Sequence, residues 1–239
     1  MASTYLTRTQ SSDTTNYNFT FSFWVKRSKL GSSQAILATQ TGNDEFRVEF
    51  DSSDRLFWYK YNGSSFQWNL YTIRKFRDTN AYYNICLQYD STQGTASNRL
   101  KMYVNGVQET DFQSGYENYP SQNENSFAFQ GGTAYIGCDE NTNGDFDGIL
   151  SHINMVHGST PVYTSFGSTD STTGEWKINT SPNVTYGTQG YFILKDGNSV
   201  TDQSPNTNNW SVGSGTLTKT EDCPSNVFAT FNPLIKTPS

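Results

Sequence analysis

The chain has 239 residues, a net charge of −6 at pH 7, and 16% charged side chains beside 15% aromatic ones. The acidic balance argues against nucleic acid as a partner, because phosphates require a basic surface. No apolar run approaches the roughly 20 residues that cross a bilayer, so no membrane insertion is expected. Much of the polarity comes from Asn, Ser, Thr and Gln, which suit β-surfaces and uncharged, hydrogen-bonding ligands such as sugars.

The first residues and the cysteines indicate whether secretion, disulfide bonds or a zinc site are to be expected. The opening residues, MASTYLTRTQSSD, contain no apolar segment, so we expect no secretory signal. Cys86, Cys138 and Cys223 form an odd set without C-x-x-C spacing. This pattern favours neither a disulfide framework nor a zinc site.

Alternation of apolar and polar residues dominates the chain up to about residue 158. In FTFSFWVK, residues 19–26, the side chains of Phe19, Phe21 and Phe23 share one face of a strand. Alternation recurs in EFRVEF, RLFWYKY, YNICLQY, LKMYV and ILSHINMV, with turn clusters such as TGND and DSTQGTASN between them. VNG, residues 104–106, predicts a two-residue hairpin turn, because Asn-Gly tolerates positive φ angles.

These patterns predict an all-β fold, an antiparallel β-sandwich of jelly-roll type over residues 1–158. No segment shows a sustained helical period with caps. The residues expected between the two sheets are Phe19, Phe21, Phe23, Val48, Ile85, Leu87, Met102, Val104 and Ile153.

An excess of aromatic residues marks the segment LFWYKYNGSSFQWNLY, residues 56–71. One face of such a hairpin must join the core, so some of the remaining rings are expected on the surface. We predict that Tyr61 and Trp68, which flank the turn, are exposed, and we group Tyr71 with them. Exposed aromatic rings beside Asn and Gln suit the apolar faces of sugars or a protein interface.

Acidic and amide residues crowd the stretch CDENTNGDFDGIL, residues 138–150, and two interpretations stay open. The first is a solvated turn in which carboxylates accept local backbone amides. The second is a calcium site, the one cofactor that the sequence suggests, with oxygen ligands at alternate positions. Its ligands would be Asp139, Asn141, Asn143 and Asp145 or Asp147. An EF-hand is excluded, because a leucine stands where the closing glutamate belongs.

No catalytic residue is predicted. Glu45 and Glu49 share one strand face, but the E-x-D-x-x-E spacing of a glucanase is absent. There is no G-x-S-x-G sequence, and the chain gives His152 and His157 no obvious partner. We therefore expect a protein that is not an enzyme.

Residues 159–239 read as an extended C-terminal arm, with Pro, Gly and little alternation. Its apolar anchors are too sparse for a separate core and would promote aggregation if left in solvent. They are expected to dock on the sandwich or to cross to another copy of the chain. We predict that Trp210 and Phe231 lie in an assembly contact between copies.

The order of several short segments carries a resemblance. FTFSFWVKR, RLKMYVNGVQ, AYIG and FDGILSHINMVHG resemble the laminin-G-like, concanavalin A-like lectin/glucanase superfamily. In the arm, FGSTDSTTGEWK, GTQGYFILKD, TDQSPNTNNWSV and TEDCPSNVFATFNPL resemble a segment that follows this domain in structural proteins of marine tailed bacteriophages. The chain departs from that segment at Ser204-Pro205-Asn206, where Ser-Gly is usual, and at Cys223, where Thr is usual. These departures put a glycine-dependent turn in doubt.

The resemblance implies a concanavalin A-like jelly roll and a structural virion protein, such as a capsid decoration, fibre or tail appendage, assembled in the host cytoplasm. It implies other virion proteins as partners, a homo-oligomer with a trimer favoured, and a host-surface glycan as a further partner. Calcium near the glycan-binding rim is common in such domains. The alternative is a free carbohydrate-binding lectin module or, less favoured, a glycoside hydrolase.

Overall fold

The computed structural model describes residues 3–195 and 199–225, and these residues form a two-layer antiparallel β-structure. The larger sheet has eight strands, in the spatial order β10 (Phe112–Asn118), β6 (Phe66–Lys75), β5 (Arg55–Tyr61), β4 (Asp44–Phe50), β3 (Gln34–Thr41), β11 (Gln130–Ile136), β1 (Tyr5–Ser12) and β16 (Ser211–Ser214). The smaller sheet has six, in the order β15 (Tyr191–Ile193), β12 (Gly148–His157), β2 (Asn18–Arg27), β7 (Tyr83–Asp90), β8 (Leu100–Val104) and β9 (Val107–Glu109).

Three short elements complete this architecture. A separate hairpin pairs β13 (Gly167–Thr169) with β14 (Trp176–Ile178). Single 3-10 turns occupy Ala96–Asn98 and Tyr163–Ser165. No helix in the described part of the chain is long and apolar enough to span a membrane.

The core lies between the two sheets, as the alternation of residues predicts. Phe19, Phe21 and Phe23 on β2 are fully buried, and Phe21 and Phe23 pair with Leu87 and Ile85 on β7. All nine residues predicted for this core are at most 3% exposed. The predicted antiparallel sandwich is confirmed.

The Asn-Gly hairpin also forms where the sequence predicts it. Asn105 and Gly106 have φ angles of 49° and 75° and join β8 to β9. The turn lies close to Trp176 of the arm. A Cβ added at Gly106 would lie only 2.3 Å from the ring of Trp176. Glycine is therefore required there both by its φ angle and by the close ring.

A buried ion pair lies beneath the loop between β4 and β5. The side chain of Arg27, at the end of β2, is 0% exposed, and its Nη1 lies 3.2 Å from Oδ1 of Asp54. The same guanidinium donates to the carbonyl of Phe76 at 2.9 Å and to Gln34 at 3.1 Å. These contacts satisfy a charge that would otherwise be very costly to bury.

The arm contributes a strand to each sheet. β15 pairs with β12, and β16 pairs with β1. Tyr191, Ile193 and Trp210 belong to the main core, and Trp210 is 2% exposed with its ring 5.2 Å from that of Tyr191. The prediction of an intersubunit contact at Trp210 is therefore corrected, since its side chain packs within its own chain. Phe231 lies outside the described residues.

The loop from Asp202 to Trp210, which carries part of the phage-like resemblance, is a structural anchor. The carboxylate of Asp202 accepts the amide hydrogens of Phe192 at 2.9 Å and of Asn208 at 3.0 Å. The side chain of Asn208 in turn donates to the carbonyl of Gly190 at 2.8 Å. Residues 204–206 keep negative φ angles in this described loop, so the missing glycine leaves the turn intact.

Candidate functional site

The outer face of the larger sheet, away from the core, carries a cluster of aromatic side chains. On β5, Leu56, Trp58 and Lys60 point inward, so Phe57 and Tyr59 point outward together with Tyr61. The strands β6 and β10 add three more rings to this face. We call the set the aromatic platform: Phe57, Tyr59, Tyr61, Phe66, Tyr71 and Tyr116.

Trp68 is not part of the platform, and the prediction that it is exposed is wrong. It is 0% exposed and packs in the core against Trp58 at 5.4 Å. The reason is alternation, because Trp68 shares the inward face of β6 with Leu70, which is 1% exposed. The register becomes irregular only beyond Trp68, where Tyr61 pairs with Phe66, and this bulge turns Phe66 outward.

The rings of the platform contact one another closely. Phe57 lies 4.5 Å from Tyr59, 4.6 Å from Tyr71 and 5.1 Å from Phe66, measured between ring centroids. Tyr116 lies 5.4 Å from Tyr71 and 6.2 Å from Phe66. Such tilted and edge-to-face contacts stabilise the cluster by about 0.5–1.5 kcal/mol per pair beyond burial.

The platform is layered, with an inner pair of rings beneath outer ones. Phe57 and Tyr59 are only 8% and 5% exposed, because Phe66 covers both of them. Phe66 and Tyr116 are 39% and 37% exposed and form its outer surface. Sequence reasoning singled out neither residue. Phe66 faces outward only because of the bulge, and Tyr116 comes from β10, some 50 positions along the chain from Phe66.

One end of the platform is bordered by a hydrogen-bonded group around Tyr71. The guanidinium of Arg55 lies 4.3 Å above the Tyr71 ring and donates to its hydroxyl at 2.6 Å. That hydroxyl donates to Asp51, and Arg55 also donates to the side chain of Gln113 at 3.1 Å. Burial and the bond to Asp51 raise the pKa of Tyr71 to about 12, so its hydroxyl stays protonated and can donate.

The other end is bordered by Arg47 and three carboxylates. Arg47 on β4 lies 3.3 Å from both Glu45 and Glu49, and it contacts Glu140 of the loop after β11. Burial raises the pKa of Glu49 despite Arg47, and burial together with the charge of Glu140 raises that of Glu45. Arg47 thus ties the acidic loop to the edge of the platform.

The acidic loop itself is a compact turn organised by Asp139. One oxygen of Asp139 accepts the amide hydrogens of Asn141 at 2.9 Å and Asn143 at 2.7 Å. The backbone amide of Asp139 donates to the carbonyl of Asn143 at 2.8 Å and closes the turn. In the described chain, no three His, Cys, Asp or Glu side chains are grouped as metal ligands. Calcium at these residues stays a prediction.

Asp145 and Asp147, the remaining proposed calcium ligands, point away from this turn. They line a cleft of about 620 Å³ where β11 leads into β12, together with Thr4, Leu217 and Lys29. The carboxylate of Asp145 accepts the hydroxyl of Ser3 at 2.5 Å. The structure therefore divides the acidic stretch between a turn near the platform and a separate cleft.

The two histidines lie on β12, and both have partners that the sequence did not reveal. Nε2 of His157 lies 2.7 Å from Oδ2 of Asp13, and its Nδ1 lies 3.3 Å from the hydroxyl of Thr188. His152 is buried, with Nδ1 at 2.7 Å from the hydroxyl of Ser151. His157 thus links the β1–β2 connection to the arm.

Comparison with known families gives one match. The family model described as Concanavalin A-like lectin/glucanases superfamily, a laminin G family, matches residues 1–159. A comparison with curated protein sequences gives no match.

Several solved structures have a similar chain trace. One is the heptameric SAP-like pentraxin of Limulus polyphemus, with 17% identity, a TM-score of 0.45, and coverage of 66% of this chain and 71% of that chain. Another is a candidate carbohydrate-binding protein of Bacteroides ovatus, with 16% identity, a TM-score of 0.49, and coverage of 95% and 63%. A third is the CBM40 module of the Ruminococcus gnavus IT-sialidase, with 13% identity, a TM-score of 0.43, and coverage of 63% and 80%. These likenesses concern the fold alone.

Proposed function

The chain belongs to the concanavalin A-like lectin/glucanases superfamily through residues 1–159, and on this premise we propose that its aromatic platform binds carbohydrate. The observation that carries the proposal is the exposure of Phe66 and Tyr116 on a sheet face bordered by polar side chains. Aromatic rings pack against the C–H faces of sugar rings, while neighbouring amides, hydroxyls and carboxylates bond to the sugar hydroxyls. Gln113, Tyr71 and Glu45 supply such groups at the two ends.

The domain is proposed to bind without hydrolysing. Retaining hydrolysis requires two carboxyl groups about 5–5.5 Å apart, one of them free to give a proton to the leaving group. Glu45 and Glu49 are the two carboxylates of β4 on this face, and both are engaged by Arg47, which stands between them. This arrangement supports a binding face rather than an acid and nucleophile pair.

We propose that the protein is part of the virion of a tailed bacteriophage, as a capsid decoration, fibre or tail appendage. In that setting its platform would bind a host-surface glycan. The support is the resemblance of the arm's segments, in order, to a segment of phage structural proteins. In this chain that segment includes Asp202 and Trp210, which hold the arm on the sandwich. Capsid and portal genes beside the gene are the expected genomic context. A neighbourhood of secretion or sugar-uptake genes would instead favour a free lectin.

Assembly is part of the same proposal. A virion appendage is expected to form a homo-oligomer of closed symmetry, and a trimer is favoured. Light scattering of the full chain should give about three times the 26.8 kDa of one chain. A monomer over the micromolar range would contradict the assembly proposal and leave the binding proposal standing.

Glycan binding is tested on a glycan array with the full chain and two variants, Phe66→Ala and Tyr116→Ala. Each variant should weaken binding about tenfold, equivalent to about 1.4 kcal/mol, since each removes an exposed stacking ring. Both side chains are more than a third exposed, so the fold should persist, as circular dichroism would verify.

Two control variants locate the ligand. Val107→Ala shortens a still more exposed apolar side chain on the smaller sheet and should leave binding unchanged. Asp145→Asn alters the separate cleft. Binding that survives both platform variants but falls with Asp145→Asn would contradict the proposed site, and no binding to any glycan would contradict the proposed function.

A further inference from the structure

Two arginines beside the platform, Arg47 and Arg55, determine which ligand charge it accepts. This inference rests on the function proposed above. Arg47 is shared by Glu45, Glu49 and Glu140. Its Nη1 and Nη2 atoms both donate to these carboxylates. Both terminal nitrogens of Arg47 therefore face carboxylates of the chain, while its Nε is buried and has no hydrogen-bond partner among the described residues.

Arg55 is engaged in the same way at the other end. Its Nε and Nη2 atoms donate to Asp51 at 3.3 and 3.2 Å. Its Nη1 donates to Gln113 at 3.1 Å, and its Cζ lies 4.3 Å from the centre of the Tyr71 ring. A ligand carboxylate at Arg47 would compete with the chain's own carboxylates, and one at Arg55 Nη1 would have to displace Gln113 beside the carboxylate of Asp51.

The border of the platform therefore carries more negative than positive charge. Four carboxylates surround it against the two guanidinium groups: Glu45, Glu49, Asp51 and Glu140. An ionised carboxylate only accepts hydrogen bonds. Ligand hydroxyl and amide N–H groups complement such a border, whereas a second carboxylate meets like charge at close range.

We infer that the platform binds uncharged oligosaccharides and rejects those that carry a carboxylate, such as uronic or sialic acids. Sugar C–H faces lie on Phe66 and Tyr116, and sugar hydroxyls donate to the partly exposed oxygens of Glu45 and Glu49. The specificity comes from the pairing of Arg47 and Arg55 with the chain's own carboxylates as much as from attraction.

The test uses a glycan array printed with pairs that share a neutral core and differ by one acidic sugar, for example lactose and sialyllactose. The neutral members should bind at least about tenfold more tightly. Raising the salt concentration from about 0.1 to 1 M should bring the ratio of neutral to acidic affinity closer to one. The reason is that salt screens the repulsion between carboxylates, since the Debye length falls from about 10 to 3 Å.

A charge variant makes the test specific to this border. Glu45→Gln removes one carboxylate and releases part of Arg47, so the ratio of neutral to acidic binding should fall. Asp170→Asn makes the same charge change at the exposed pair with Lys177, on the separate β13–β14 hairpin, and should leave the ratio unchanged.

The outcomes separate this inference from the function on which it rests. Tight binding of acidic glycans that depends on Phe66 would overturn the charge selectivity and keep the proposed function. An unchanged ratio in Glu45→Gln would also overturn the selectivity argument. Absence of binding to both members of every pair would overturn both claims.

Discussion

The buried ion pair between Arg27 and Asp54 offers the sharpest test of how this fold is stabilised. The change is Asp54→Asn, which keeps the shape of the side chain but removes its charge. Asparagine is the suitable replacement because Asp54 has a φ of 67°, in the left-handed region that Asn tolerates. The bond from the amide of Gly31, 2.8 Å long, can be kept by the amide oxygen of the new residue.

The expected loss follows from the burial of the partner. Arg27 is 0% exposed, and its other hydrogen bonds go to uncharged groups, Phe76 and Gln34. Removing one member of a buried pair leaves an uncompensated charge and costs about 3–5 kcal/mol. The bond from Arg77 adds little, because that side chain is 56% exposed. We expect the free energy of unfolding to fall by about 3–5 kcal/mol.

Equilibrium unfolding in urea at pH 7 measures this loss, with Asp170→Asn as a charge-matched control at a surface pair that should cost far less stability. The measurement should also depend on pH. Burial opposes ionisation of Asp54, but the amide of Gly31, Arg77 and Arg27 outweigh it and lower its pKa below 3.8. The stability that ionised Asp54 contributes is therefore fully present above about pH 4. It is lost as the pH falls through the lower pKa of the folded state. A loss under about 1 kcal/mol at pH 7, or one that grows in acid, would refute the reasoning.

Three further predictions concern the core, the arm and the acidic loop. Phe21→Ala should lower the free energy of unfolding by about 3–5 kcal/mol in urea, since the ring is fully buried; a loss below about 1 kcal/mol would contradict the sandwich core. Ending the chain at residue 158 removes β15 and Trp210 from the core and β16 from the edge of the larger sheet. The fragment should therefore aggregate or melt without a cooperative transition, and a soluble, cooperatively folded fragment would contradict this. Chelator should leave the melting temperature unchanged, because Asp139 already accepts two backbone amides; a fall that calcium reverses would establish the metal site.

Local pattern was enough to predict the sandwich core. Phe19, Phe21 and Phe23 alternate with polar residues, and a strand with one buried face allows only one orientation for them. The turn at Asn105-Gly106 was equally readable, because its chemistry is contained in two residues.

The platform could be predicted only in part, since its geometry depends on pairings between distant segments. The prediction for Trp68 failed because it followed the nearby turn and not the alternation with Leu70, which places Trp68 in the core. Phe66 faces outward at a bulge, and a bulge inverts the faces of a strand without a clear mark in the sequence. Tyr116 could not be found from the hairpin, because β10 reaches that face only through its pairing with β6. Tyr61 and Tyr71 lie on the outer face, and a glycan at either residue stays a prediction.

The placement of β1 has a consequence for the order in which the protein folds during synthesis. Leu6 pairs with Ile136 on one side and with Val212 on the other. Translation adds about 5–20 residues per second, so this first strand waits roughly 10–40 s for its last partner. Pairings of such long sequence separation fold slowly. Once β11 has paired with it, the other edge of β1 stays open to neighbouring nascent chains until β16 is made, so crowding on a polysome should favour misassembly at this edge.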